Sequence, residues 1–156
     1  RWCAIDVAKN ELTRTDFSNA NMKGVTISES KNAYEHHHFM HFVDFSGADL
    51  TGIEFSNFEF TGCKFNGTNF NNSDMRNVKF FSCDFTDAKF INSKFDSVFF
   101  QDVSFRDAKI IDASFKNLFF IDFVDLYDAD LSGTSLYEVY TIGNIVFSCK
   151  NHPICD

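Results

Sequence analysis

A strict repeat of five residues constrains this chain more than any other feature. From Phe45 every fifth residue is large and apolar: Leu50, Phe55, Phe60, Phe65, Phe70, Met75, Phe80, Phe85, Phe90, Phe95, Phe100, Phe105, Ile110, Phe115 and Phe120 follow in turn. Two residues before each lies an apolar or small partner, from Val43, Ala48, Ile53 and Phe58 to Val103, Ala108, Ala113 and Leu118. Sixteen consecutive matches fit neither a helix, with its period of about 3.6, nor a half-buried strand, with its period of about 2. A short fixed period of this kind marks a solenoid. The fold class expected is an all-β solenoid. Turns every five residues bend the chain into a four-sided coil of about twenty residues, with coils about 4.8 Å apart, the spacing of paired strands.

Stacking residues twenty apart assigns the centres to four inward columns. Phe45, Phe65, Phe85 and Phe105 form side one, and Leu50, Phe70, Phe90 and Ile110 form side two. Phe55, Met75, Phe95 and Phe115 form side three, and Phe60, Phe80, Phe100 and Phe120 form side four. The columns account for a composition of 22 Phe against one Trp and one Pro. Burying each Phe contributes roughly 1.5–3 kcal/mol before ordering entropy is subtracted. On side four the residue two before the centre is large (Phe58, Val78, Val98, Leu118), so that side is filled differently. Cys63 and Cys83 stack at the equivalent position on side one, where thiols act as small hydrophobes rather than as a redox pair.

The remaining composition bounds the partners. A length of 156 residues suits one domain. A net charge of −8 disfavours direct binding to nucleic acid, which needs a basic surface. No run is long or apolar enough to span a membrane, and no secretory signal is present. The chain opens at Arg1 rather than Met, which points to a fragment or a processed product. Five Cys, two of them on inward positions, favour a reduced, cytosol-like environment over a disulfide framework. Asn66-Gly-Thr and Asn71-Asn-Ser fit the glycosylation pattern, which arises often by chance in such sequence.

The ladder has ends and breaks. Residues 1–14 precede it; Ile5, Ala8 and Leu12 recur at helical spacing and suggest a short capping helix, with Trp2 packed over the first coil. Residues 15–136 carry the repeat. Its first centres are Phe17, Met22 and Ile27, and eighteen residues then separate Ile27 from Phe45. A loop excursion is therefore expected near residues 29–41, and it bears Glu35, His36, His37, His38 and His41. After Phe120 one extra residue intervenes before Leu126, Leu131 and Leu136, which reads as a bulge. Residues 137–156 form a C-terminal cap or tail: Tyr137 to Phe147 suggest extended, partly buried structure, and Cys149–Asp156 has no class.

Outward positions hold the candidate functional residues. On side four, Phe99 and Phe119 precede their centres while Phe81 and Ile121 follow theirs. Ile91 and Ile111 make a smaller apolar pair on side two. Clustered outward aromatics suit a contact surface for a partner protein, or a face covered by a terminal segment or a neighbouring domain. His36, His37, His38 and His41 offer a loop contact. Adjacent His in a loop rarely close a metal site, so no metal is assigned, nor any cofactor, and Cys149, His152 and Cys155 make a weaker case still. No phosphate loop, activated nucleophile or paired-carboxylate motif is present, and no catalytic residue is assigned.

Ala48-Asp-Leu-Thr-Gly and Ala129-Asp-Leu-Ser-Gly show the unit at its clearest: a small residue, a central Leu or Phe, and Gly, Asn or Asp two further on. In this the chain resembles the pentapeptide-repeat proteins. The resemblance covers most of residues 15–136 and implies a right-handed quadrilateral β-helix. Within that family, a non-repeat lead-in, Asp16-Phe-Ser-Asn-Ala, an interruption and a resumed Phe-rich ladder resemble the β-helix domain of HECT-like ubiquitin-ligase effectors, which bacteria inject into host cells. That likeness implies a non-catalytic module, with the catalytic Cys in a separate downstream domain and a host protein or adjacent domain as partner. The alternative, implied by the resemblance to the wider pentapeptide-repeat family, is a cytoplasmic acidic mimic of duplex DNA acting on gyrase or another topoisomerase, carried by Asp87, Asp107 and Asp128 with Asp102, Asp122 and Asp112. Interspersed Lys79, Lys89, Lys94, Arg106, Lys109 and Lys116 dilute such a field, and Asp is an ordinary turn residue.

Overall fold

A computed structural model describes residues 4–6, 12–23, 25–28 and 38–155. Within them the chain is a right-handed quadrilateral β-helix, and each coil pairs in parallel with the next at an offset of twenty residues, as in Glu59↔Lys79 and Lys79↔Phe99. What bends the chain every five residues is a left-handed residue two positions after each centre. On side three the φ angles are +60° at Asn57, +52° at Asn77, +58° at Ser97 and +53° at Asn117. Side one begins with Gly47 and Gly67 and continues with Asp87, Asp107 and Asp128 at +56° to +60°. This conformation costs L-residues roughly 1–2 kcal/mol and favours Gly, Asn and Asp, which is why those types fill the corners.

The strands line sides three and four. They are β1 (Ala4–Asp6), β2 (Leu12–Thr13), β3 (Thr26–Ser28), β4 (His38–His41), β5 (Glu54–Ser56) and β6 (Phe58–Thr61). There follow β7 (Asp74–Arg76), β8 (Lys79–Phe81), β9 (Lys94–Asp96), β10 (Phe99–Ser104), β11 (Ser114–Asp125) and β12 (Ser135–Val146). β11 turns the corner at Asn117 and joins both sides into one sheet, ordered β2-β4-β6-β8-β10-β11-β9-β7-β5, with β12 laid on β11. Sides one and two are held instead by single parallel bridges, such as Asp44↔Lys64↔Asp84↔Ser104. Hydrogen bonds tie each rung to the next, for example Phe65 N–H to the Asp84 carbonyl at 2.7 Å.

All sixteen centres of the main ladder are buried, and within a column the rings stack: Phe65 on Phe85 at 4.7 Å, Phe70 on Phe90 at 5.0 Å, Phe60 on Phe80 at 5.0 Å. The inward hydroxyls of Thr68 and Ser93 bond back to the previous coil, while that of Ser73 is buried with no partner among the described residues. Thr68 Oγ1 donates to the Phe45 carbonyl at 2.7 Å and Ser93 Oγ to that of Phe70 at 2.8 Å. Cys63 and Cys83 are buried free thiols. Cys63 Sγ lies 3.2 Å from the Met40 carbonyl, and burial pushes the Cys83 thiol well above its ordinary range.

Three expectations are corrected. The helix expected before residue 15 does not form where the chain is described: Ala4–Asp6 is a strand paired with Thr26–Ser28, and Leu12–Thr13 pairs with Met40–His41. Leu12 stands five before Phe17, so the repeat spacing competes with the helical one, and the edge of the first full coil needs a strand to pair with it. Second, the excursion ends earlier than expected. His38–His41 is already back in the ladder as β4, with Met40 a buried centre five residues before Phe45. Third, the cysteines are not all reduced: Cys149 and Cys155 form a disulfide around a short 3-10 turn at Pro153–Cys155, in the tail that the sequence left without a class.

Candidate interaction face

Side four carries two outward columns. One runs Phe39, Glu59, Lys79, Phe99, Phe119, Tyr140; the other runs His41, Thr61, Phe81, Gln101, Ile121, Ile142. The first column is aromatic from Phe99 onward, and the second is apolar at Phe81, Ile121 and Ile142 with Gln101 between them. Phe81 lies against Phe99 with ring centroids 5.5 Å apart, Phe99 is 6.5 Å from Phe119, and Phe119 stacks on Tyr140 at 4.9 Å and 16°. Phe81, Phe99, Phe119 and Ile121 are half-buried, while Tyr140 and Ile142 keep 50% and 64% of their surface exposed. The four expected side-four residues are thus brought together. Ile91 and Ile111 are half-buried and one coil apart on side two, separate from this cluster.

Two of these residues escaped the sequence reading because the repeat fades where they lie. β11 carries the extra residue as a bulge: Gln101 pairs with Ile121, but Val103 pairs with Val124, so Asp122 and Phe123 stand against Asp102 alone. That extra residue sets β12 in register with β11, so Tyr140 pairs with Phe119 and Ile142 with Ile121 on the side-four columns, and Gly143 and Asn144 lie against Asp122 and Phe123. Gly143 has φ +106°, and a Cβ there would lie 2.5–2.9 Å from the Asp122 backbone.

The histidines separate. His36 and His37 lie outside the described residues. His38 points inward rather than to a partner: it is buried, its ring is 5.0 Å from Phe58, and its Nε2 has no hydrogen-bond partner among the described residues. It occupies the inward position that Phe58, Val78 and Val98 hold above it, so column packing overrides the polarity of its neighbours. His41 remains outward and half-buried, its ring parallel to Phe39 at 6.0 Å. Beside it Phe42 is 57% exposed at a left-handed corner (φ +55°), where an aromatic residue is a genuine outlier. Its ring lies across Gly62, where an added Cβ would sit 2.7 Å from it. No group of His, Cys, Asp or Glu among the described residues is placed to hold a metal.

The acidic residues have local structural work. Asp87, Asp102, Asp107, Asp112, Asp122 and Asp128 all occupy left-handed corners. Asp44, Asp49, Asp84, Asp125 and Asp130 each accept the backbone N–H two residues on, at 2.9–3.1 Å. Hydrogen bonds from the side chains of Ser46 and Thr51 hold the Asp44 and Asp49 carboxyls below their ordinary range. At Asp84 burial opposes this, and hydrogen bonds from Thr86 and Asn66 outweigh it.

Five-residue units wound into a parallel four-sided coil, with an aromatic run on one face, define a repeat scaffold. The chain belongs to the pentapeptide-repeat family: the pentapeptide repeat region profile matches residues 35–104 and again 53–123. No curated protein sequence matches it. Among solved structures it is similar to a trypsin-treated form of QnrB1, a plasmid-mediated fluoroquinolone resistance protein, at 13% identity over 89% of this chain and 82% of that one, with a TM-score of 0.44. HetL, involved in heterocyst differentiation regulation in the cyanobacterium Nostoc sp. strain PCC 7120, aligns at 13% identity over 93% and 88% of the two chains, with a TM-score of 0.28. Rfr23 from the cyanobacterium Cyanothece 51142 aligns at 13% over 92% and 86%, with a TM-score of 0.25.

Proposed function

We propose that this chain is a rigid, non-catalytic binding module whose contact surface is the C-terminal half of side four. The observation that carries the reading is the outward aromatic run Phe81–Phe99–Phe119–Tyr140. The inward columns are complete without these rings, so core packing does not account for them. A contiguous run of outward aromatics, half-buried against one another and ending in an exposed Tyr140, is what a protein partner uses as anchors on a rigid surface. The finer reading is that the module selects partners for a larger bacterial effector of the HECT-like ubiquitin-ligase kind, delivered into a host cell. Its support is the lead-in, interruption and resumed ladder of the sequence. The test is quantitative capture of host-cell proteins on the immobilised chain, comparing wild type with a Phe99→Ser, Phe119→Ser double variant. Two anchors of about 2 kcal/mol each correspond to a loss of several hundredfold in affinity, so specific capture should vanish. A captured set unchanged by the double variant removes side four as the contact surface.

A further inference from the structure

We infer that Asn66-Gly67 is a self-modifying corner: it is sealed while the coil is wound, deamidates when its rung opens, and leaves a carboxylate that keeps the rung from closing again. It is the chain's one Asn-Gly step. The other left-handed glycines, Gly47, Gly52, Gly62, Gly133 and Gly143, follow Ser46, Thr51, Thr61, Ser132 and Ile142, which carry no amide. Corner residues Asn72, Asn77 and Asn92 precede Ser73, Val78 and Ser93, whose side chains crowd the backbone nitrogen that must attack. Gly67 offers the least crowded nitrogen, since it is exposed and a Cβ built on it would meet nothing within 4 Å.

The step needs no oxidant and no cofactor. The Gly67 backbone nitrogen gives up its proton and bonds to Asn66 Cγ. The Cγ–Nδ2 bond breaks, and the side-chain nitrogen leaves as ammonia with that proton. Water then opens the cyclic imide at either carbonyl, giving Asp or its iso form, in which the main chain runs through the side-chain carbon.

The wound coil blocks each part of this. Thr68 N–H donates to the Phe65 carbonyl at 3.0 Å across a turn whose third residue, Gly67, is left-handed at φ +64°, the type II geometry. That turn fixes the peptide between residues 66 and 67. The attacking Gly67 N–H is held by the Thr86 carbonyl of the next coil at 2.8 Å. Asn66 Nδ2 donates to Asp84 Oδ2 at 2.7 Å, while Asp84 Oδ1 accepts from the Thr86 N–H at 2.9 Å and its hydroxyl at 2.7 Å. Attack therefore requires residues 66–67 to part from residues 84–86, a local opening of one link between coils.

Reclosure then sets a carboxylate against Asp84 Oδ2 where a donor had been. The cations of these two outward columns are engaged elsewhere: Lys64 Nζ lies 3.7 Å from Asp44 and Arg106 Nε lies 2.5 Å from Asp125. Two carboxylates in contact disfavour each other's ionised form. The iso form also lengthens the corner and upsets the five-residue count.

Peptide mapping by mass spectrometry reads the conversion at residue 66, on the full chain held in mildly alkaline buffer with and without unfolding urea. Conversion should be at least about tenfold slower in the folded chain and should rise with urea below the unfolding midpoint. Gly67→Asn, which keeps the corner, should remove the fast conversion from the unfolded chain. Asn66→Asp should lower the urea midpoint at neutral pH more than Asn66→Ala, which loses the bond without adding charge. That excess should fade as pH falls to about 4, where the carboxylates protonate. Equal rates in the folded and unfolded chain overturn the inference. So does an unfolded chain in which residue 66 converts no faster than Asn72 or Asn92, or an Asn66→Asp midpoint no lower than that of Asn66→Ala.

Discussion

Phe85→Ala tests the packing of the coil at its most informative point. The Phe85 ring is fully buried, stacked on Phe65 at 4.7 Å and on Phe105 at 5.1 Å within its own column. Phe80 meets it edge-on at 5.0 Å and Phe90 tilts against it at 5.6 Å. Truncating a buried Phe costs about 3–5 kcal/mol. These four nearest aromatic neighbours, each pair contributing about 0.5–1.5 kcal/mol beyond area, place this site at the upper end of that range. Each coil touches only its neighbours, so the gap weakens the link between the two halves of the solenoid rather than one local contact. Taking a loss of about 4 kcal/mol and a urea m-value of about 2 kcal/mol/M, the unfolding midpoint should fall by about 2 M. Phe85→Leu, which keeps most of the volume but loses the ring contacts, should cost less than Phe85→Ala. Urea titration by circular dichroism decides the matter. A Phe85→Ala midpoint within about 0.3 M of wild type, well inside the expected shift, would refute stacked columns in this register.

Gly143→Ala should destabilise the β11–β12 pair by about 1–3 kcal/mol, because the new Cβ meets the Asp122 backbone at a left-handed residue; Gly67→Asn, at a corner where a Cβ meets open space, should be near neutral by the same urea assay. Acid should weaken the fold in a defined window. The Asp44, Asp49 and Asp130 carboxyls are held below their ordinary range by hydrogen bonds from Ser46, Thr51 and Asn151 respectively. Depressed folded-state values contribute stability above the unfolded pKa of about 3.9 that is lost as pH falls through the folded ones. The urea midpoint should therefore hold near neutrality and drop below about pH 4, and a triple Asn variant should show a shallower drop. Reducing Cys149–Cys155 opens a seven-residue ring, whose closure constrains the unfolded chain by about 2 kcal/mol. Hydrogen exchange at 150–155 should rise on reduction, while Cys63 and Cys83 stay unalkylated in the folded protein, as mass spectrometry would show.

The sequence disclosed the core almost completely and the face only in part, for physical reasons. An inward column admits only residues that fit between two rungs, so Phe60, Phe80 and Phe100 repeat visibly. Met40 obeys the same spacing, but a run of His beside it has the composition of a solvated loop, and only burial of His38 shows the ladder has already resumed. Tyr140 and Ile142 belong to the same outward columns as Phe119 and Ile121. They were hidden because the bulge at Asp122 and Phe123 shifts the count by one residue and the half-covered inward positions of β12 no longer demand Phe. The disulfide depends on where the tail folds back, which no spacing within it fixes.

The acidic corners allow the contact-face reading to be separated from duplex mimicry by one variant. A mimic needs negative charge at regular intervals on an outward column, yet those of sides one and two mix both signs: Asp44, Lys64, Asp84 on one, Asp49, Asn69, Lys89, Lys109, Asp130 on the other. The regular acidic positions are instead corners whose conformation selects Asp and Asn alike, and Asn72, Asn77 and Asn92 occupy equivalent corners at +52° to +59°. Replacing Asp87, Asp107 and Asp128 together by Asn therefore removes three charges while keeping the geometry. The fold should survive with its urea midpoint nearly unchanged, and partner capture through side four should be intact. In a gyrase supercoiling assay neither wild type nor the triple variant should inhibit. Inhibition by wild type that the triple variant loses would establish the mimic and refute the contact face as the functional surface.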